Sequence, residues 1–190
     1  VDGDFQKGVG NLMDVLFIID KSLSMSEKIL GKSKYELLEE SIAGVVKYLK
    51  NKKKAYHQNF GVILFGEWEK NSFSGWKSYY ELDSVFKLLY INRPKDSATY
   101  LNPEILNIAE KEAKDNFLII MATDGELHNS EEAASSLIKV INKGNYFSLF
   151  QIGESFGFSN MLKRYGQIFT VEKSDDLAGC ILKTIKSVYG

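Results

Sequence analysis

Residues 13–25 read Met13-Asp14-Val15-Leu16-Phe17-Ile18-Ile19-Asp20-Lys21-Ser22-Leu23-Ser24-Met25. Val15 to Ile19 is an unbroken apolar, partly β-branched run, too short for a comfortable helix. Such a run fits a strand buried on both faces of a parallel sheet. It stops abruptly at Asp20. Ser22 and Ser24 follow at alternate positions, so three small oxygen-bearing side chains fall in the loop beyond the strand's carboxyl end, where open α/β sheets bind ligands. A carboxylate with two hydroxyls is hard-cation chemistry, suited to Mg²⁺ and less so to Zn²⁺ or Cu⁺.

Further strands are expected at Asn59 to Phe65, Phe117 to Ala122, Tyr146 to Ile152 and Gln167 to Val171. Between them lie helical patterns. After a loop from Ser26 to Lys34, Leu38, Ile42, Val45 and Leu49 keep helical spacing, and the helix ends in Asn51-Lys52-Lys53-Lys54, a solvated end whose cations complement the helix dipole. Leu82, Val85, Phe86 and Leu89 mark a helix over Glu81 to Leu89, broken at Arg93-Pro94. Asn102-Pro103-Glu104 is a cap followed by proline at the first helical position, with Ile105, Ile108 and Ala109 facing the core. Asn129 can cap a helix whose Leu137, Val140 and Ile141 point inward. A short helix over Asn160 to Arg164 and a final one from Asp175 to Val188 complete the pattern, and Cys180 falls on the latter's apolar side with Leu177, Ile181 and Ile185. Strands alternating with helices predict an α/β fold with a doubly wound, mostly parallel, Rossmann-like sheet and helices on both faces. The polar, aromatic segment Glu67 to Tyr80 reads as a hairpin into one antiparallel edge strand. Its Trp68, Phe73, Trp76, Tyr79 and Tyr80 are expected to cover the sheet edge and the next helix.

A chain of 190 residues is long enough for one substantial core and short for two. One domain is expected over residues 1–190, with its core at about 12–189. Lys plus Arg number 24 against 25 Asp plus Glu, and the net charge of −1 gives no reason to expect nucleic acid or an anionic membrane as a partner. No apolar run is long enough to insert across a membrane. Val1 to Phe5 lacks the basic and apolar regions of a signal peptide, and the single cysteine cannot form an internal disulfide, so a cytoplasmic location is expected.

Two further segments extend the opening motif: Thr99 in Ser-Ala-Thr-Tyr-Leu-Asn-Pro, and Asp124 in Phe-Leu-Ile-Ile-Met-Ala-Thr-Asp-Gly-Glu. Asp-x-Ser-x-Ser after a buried strand, a threonine on a middle loop and an aspartate after a later strand together resemble the von Willebrand factor type A (VWA) domains that carry a metal-ion-dependent adhesion site (MIDAS). In brevity and in Thr-Asp-Gly-Glu the chain is most similar to compact intracellular microbial members, the tellurite-resistance type and the adaptors of AAA+ ATPases. The resemblance implies a Mg²⁺ site, with Mn²⁺ or Ca²⁺ as alternatives, in which Ser22, Ser24 and Thr99 supply hydroxyl oxygens. Asp20 and Asp124 form its charged support and act largely through water. It implies no catalysis. The function it implies is metal-dependent binding of a protein partner whose Asp or Glu carboxylate completes the coordination shell. One departure stands out, because Leu23 occupies the place between the serines where family members often have glycine.

The competing reading is a haloacid-dehalogenase-like, Mg²⁺-dependent phosphotransferase with Asp20 as nucleophile and Asp124 as magnesium ligand. That chemistry expects a second aspartate two residues after the first, and Ser22 stands there. The chain also has no Gly-x-x-x-x-Gly-Lys-Ser/Thr loop and no clustered histidines. His128, a lone histidine in a polar loop, is expected to be merely exposed. Glu126 could line the rim of the site and Lys21 could answer a partner's carboxylate.

Overall fold

A computed structural model describes residues 13–29, 31–51, 56–153 and 156–171, together with positions 179, 181, 183 and 184. The opening run forms strand β1 (Asp14–Asp20), buried along its whole length. Two neighbours flank it in parallel, β4 (Asn59–Phe65) and β7 (Phe117–Thr123), with Val15 opposite both Phe60 and Leu118. Strands β8 (Tyr146–Ile152) and β9 (Gln167–Val171) extend the sheet in parallel beyond β7. At the other edge the short strands β5 (Ser72–Phe73) and β6 (Lys77–Ser78) pair antiparallel with successive parts of β4, so the single antiparallel edge strand expected from the sequence is split in two.

Because side chains alternate along a strand, β1 feeds two cores. On one face Val15, Phe17 and Ile19 pack with Leu38, Ile42 and Val45 of α1 (Lys34–Lys50) and with Leu82, Val85 and Leu89 of α2 (Leu82–Ile91). On the other, Leu16 and Ile18 meet Leu106 and Ala109 of α3 (Pro103–Glu112), Leu137 of α4 (Ser130–Ile141) and Phe158 of α5 (Gly157–Leu162). Helices thus cover both faces of a mostly parallel sheet. From β1 the chain goes first to β4 on one side and then to β7 on the other, so β1 lies at the topological switch point whose carboxyl ends open a crevice.

Several local expectations change. In α3 Ala109 is buried and Ile105 packs against the core as expected, but Leu106 is the further buried residue and Ile108 is 44% exposed. The loop between Ser26 and Lys34 contains a small hairpin of β2 (Lys28–Ile29) and β3 (Lys32–Ser33). The short helix α5 begins three residues earlier than expected. The hairpin aromatics divide: Tyr79 is buried and Trp76 donates its indole N–H to the Ala109 carbonyl at 2.9 Å, but Trp68 and Tyr80 are 40% and 80% exposed. Lys52 to Lys54 and Cys180 lie outside the described residues, as does most of the last expected helix, of which Ile181 is buried in the core.

Gly66, just past β4, accepts the Tyr100 amide at its carbonyl and sits against the buried Asp96. A Cβ at Gly66 would lie 2.9 Å from the Asp96 Cβ and closer still to its Oδ2, and Asp96 is held there by the Glu67 amide. Gly66→Ala is therefore expected to lower stability by about 1–3 kcal/mol, as overpacking does. Urea unfolding measures it, and a variant as stable as the parent would show that this junction can relax.

Candidate functional site

Asp20 ends β1 with no exposure to solvent. Its Oδ1 accepts the Ser22 amide at 2.8 Å, and its Oδ2 accepts the Thr123 hydroxyl at 2.7 Å. Thr123 is the last residue of β7, and its Oγ1 also accepts the Gly125 amide at 3.0 Å, so one threonine joins the first loop to the loop that carries Asp124. Thr123 was not among the residues singled out from the sequence, although it sits inside the Thr-Asp-Gly-Glu that supplied Asp124.

The Ser22 and Ser24 hydroxyl oxygens stand 3.0 Å apart, within a loop that turns as a 3₁₀ helix over Leu23–Ser26. The backbone of this loop is tied to the segment before Thr99. Leu23 donates its N–H to the Asp96 carbonyl at 2.8 Å, Lys95 donates to the Lys21 carbonyl at 3.2 Å, and Ser22 pairs with Asp96 as an isolated parallel bridge. Thr99 is buried, and its own backbone is bonded to His128: its N–H donates to His128 Nδ1 at 2.9 Å, and its carbonyl accepts the His128 N–H at 2.8 Å. Loops after β1, before α3 and after β7 are thus interlocked at one end of the sheet.

Asp124 lies in the third loop, nearly buried. Its carbonyl accepts the Gln151 amide group at 2.5 Å and its Oδ1 accepts the Glu126 N–H at 3.4 Å. Its Oδ2 is buried and has no hydrogen-bond donor. The cation facing that oxygen is Lys34, with Nζ at 3.6 Å, and the same ammonium donates to Glu27 at 2.8 Å. A capping box fixes the start of α1 where Lys34 emerges: the Glu36 amide donates to Ser33 Oγ, and the Ser33 amide donates to the Glu36 carboxylate. Burial works to pull the Lys34 ammonium down, but the Glu27 hydrogen bond and the charge of Asp124 outweigh it, and the net shift is upward.

Asp20 shows the reverse balance. Loss of hydration raises its carboxyl, donors from Ser22 lower it, the neighbouring Asp124 charge raises it again, and the result is pushed up to about 6.

Lys21 and His128 depart from expectation. Lys21 is buried, donates Nζ to the Lys70 carbonyl at 3.1 Å and stands 3.6 Å from Asp96, so it is committed inside the fold and cannot answer a partner. His128 is exposed as expected, yet one ring nitrogen holds the Thr99 amide. Glu126 is exposed beside the site. Among the described residues no group of three or more His, Cys, Asp and Glu side chains could hold a metal ion. Any cation here would rely on hydroxyls as well as carboxylates. The donor set, oxygen only, with a buried Asp124 oxygen that no hydrogen bond satisfies, fits a hard divalent cation and no soft one.

No family model and no curated protein matches the sequence. Solved structures share the fold at low identity. The pilus adhesin SpaC from Lactobacillus rhamnosus GG matches with a TM-score of 0.74 at 11% identity over 94% of this chain. This chain spans only 31% of the adhesin. An aerotolerance-related membrane protein from Bacteroides fragilis matches at TM-score 0.69 and 15% identity, with 92% of this chain and 99% of that one covered. The SpRpn10 VWA domain gives 0.68 and 14%, over 91% and 95% of the two chains. At these identities the likeness establishes the fold, and that fold is the VWA domain's.

The raised Asp20 carboxyl has a stability consequence. Below about pH 4 the group is protonated whether the chain is folded or unfolded. Between the ordinary 3.8 and about 6 the folded state holds more protons, so Asp20's contribution to stability falls as pH rises through this window and is level above it. Two units correspond to about 2–3 kcal/mol. Asp20→Asn, unfolded in chelator, is expected to gain stability relative to the parent by up to that amount between pH 4 and 7. A gap that stays flat over this range would mean that the carboxylate ionises without penalty.

Proposed function

We propose that this chain, which has the fold of a VWA domain, is one non-catalytic module that binds a protein partner through a divalent cation. Ser22, Ser24 and Thr99 would hold Mg²⁺, or Mn²⁺ or Ca²⁺ in its place, with Asp20 and Asp124 as the charged support. The reading is carried by the Asp124 Oδ2, a buried carboxylate oxygen without a hydrogen-bond donor, on a loop tied through the Thr123 hydroxyl to Asp20, whose other oxygen holds the Ser22 amide. A bound cation would supply an electrophilic position open to an Asp or Glu carboxylate of the partner. The protein's part is to hold the hydroxyls together, keep Asp20 dry and set the loops rigidly.

A phosphotransferase draws no support from the fold neighbours, and Asp20 argues against it. Both its oxygens accept hydrogen bonds inside the fold, which leaves it a poor nucleophile. Among the described residues no helix is long and apolar enough to cross a membrane. The cytoplasm is our assignment from the single cysteine, and cell fractionation tests it.

Mg²⁺ or Mn²⁺ should raise the melting temperature, since a ligand of the folded state at about a hundred times its Kd adds roughly 2.7 kcal/mol. Asp20→Ala and Thr99→Ala should remove that rise while the domain still folds. A partner captured in Mg²⁺ should be released by EDTA and lost when one of its Asp or Glu residues becomes Ala. Capture indifferent to both EDTA and Ser22→Ala would place the working surface elsewhere.

A further inference from the structure

The segment 99–101 faces 128–129, and the contacts between them have an unusual make-up. Thr99 and His128 exchange two hydrogen bonds, but only one is backbone to backbone: His128 N–H to the Thr99 carbonyl at 2.8 Å. The return bond, from the Thr99 N–H, ends on the imidazole Nδ1 at 2.9 Å. Two residues on, the Leu101 N–H donates to Asn129 Oδ1 at 3.1 Å, and the Leu101 carbonyl accepts from Asn129 Nδ2 at 2.9 Å. Side chains of His128 and Asn129 thus stand where a second strand's backbone would be. The imidazole is held in place by the Tyr100 ring, stacked on it at 5.0 Å and 24°, and Trp68 meets the edge of Tyr100 at 6.1 Å.

We propose that His128 is a positioning residue for Thr99: its Nδ1 fixes the Thr99 backbone, and through it the hydroxyl, relative to Ser22 and Ser24, and so sets the affinity for the divalent cation. The inference rests on the cation reading of the site. Thr99 is nearly buried on a segment that belongs to no strand or helix, so the orientation of its side chain follows from the bonds at its own N–H and carbonyl, and both end on His128. The ring is an acceptor at Nδ1 and needs no contact with the cation. Asn129 secures Leu101, the residue that enters the core, and bears on Thr99 only through the chain.

Three proteins test this in Mg²⁺ and Mn²⁺ titrations followed by calorimetry and thermal shift: the parent, His128→Leu, which keeps bulk but has no acceptor, and His128→Asn, whose Oδ1 occupies the branch position of Nδ1. His128→Leu should weaken the cation Kd at least tenfold, and His128→Asn should return to within about threefold of the parent. Equal affinity in His128→Leu and the parent overturns the inference, as does His128→Asn binding as weakly as His128→Leu. Should His128→Leu fail to fold, His128→Ala, smaller and likewise without an acceptor, takes its place with the same expected loss, and parent-like affinity in it overturns the inference; the ¹⁵N–¹⁵N coupling across the hydrogen bond from the Thr99 amide to His128 Nδ1 tests the contact itself. No coupling in the parent overturns the inference. A parent indifferent to both cations overturns the cation reading and this inference with it, and the parent titration alone tells that case from failure of the His128 role.

Discussion

A carboxylate at the end of the innermost strand is the constraint on which the site depends. Asp20 continues β1, whose side chains are packed on both faces, so its backbone cannot shift without disturbing two cores. Its side chain is out of water, and a buried carboxylate is tolerated only when donors are aimed at it. The Ser22 amide and the Thr123 hydroxyl are those donors, one from the turn that follows β1 and one from the end of β7. Satisfying Asp20 therefore shapes the first loop and ties the third to it. Burial raises the carboxyl, and the Ser22 side chain first, then the Ser22 amide and the Thr123 hydroxyl, offset part of what burial and the Asp124 charge impose, which leaves it at about 6.

Charge around Asp20 is not balanced from within. Among the described residues, the ammonium facing Asp124 is that of Lys34, and it is divided between Asp124 at 3.6 Å and the outlying Glu27 at 2.8 Å. The closer bond goes to Glu27, and Asp124 Oδ2 is left without a donor. Among the described residues two carboxylates thus face one shared ammonium, an excess of negative charge in a place poor in water, where Coulomb terms are least screened. The capping box fixes the backbone from which Lys34 extends, and Glu27 holds its ammonium. The fold thus presents oxygen donors and unspent negative charge at the switch point of its sheet, where α/β folds place ligands.

Much of this was legible in the sequence because it repeats with a period. β1, β4, β7, β8 and β9 each announce themselves as apolar runs, and the helices as 3.6-residue patterns, so strand positions and the loops bearing Asp20, Thr99 and Asp124 followed. What escaped has no period. The bond from Thr99 to His128 joins residues 29 apart, that from Thr123 to Asp20 joins residues 103 apart, and nothing local marks a side chain that will serve a distant backbone. Asn129 illustrates the limit: it precedes α4 as a cap would, but makes no capping hydrogen bond, because the Leu101 amide and carbonyl claim its side chain. Nothing in the sequence around Lys21 marks it as internal, yet the carbonyl of Lys70 and the carboxylate of Asp96 draw it inside.

Leu23, where the resemblance led one to expect glycine, shows how little a departure at one residue need alter. Glycine is required only where the backbone takes a positive φ or something approaches too closely for a Cβ. Here the chain runs as a right-handed 3₁₀ turn, a conformation open to any residue, and the Leu23 N–H is bonded to the Asp96 carbonyl at 2.8 Å. The side chain points away from the packed interior and is 59% exposed. Asp96 is itself kept close by Gly66, where a Cβ would collide, so the glycine that this region does require lies on the loop after β4 and not between the serines. The close approach between the loops after β1 and β4 is thus secured from the far side, which frees position 23 to carry an apolar side chain at the edge of the candidate site.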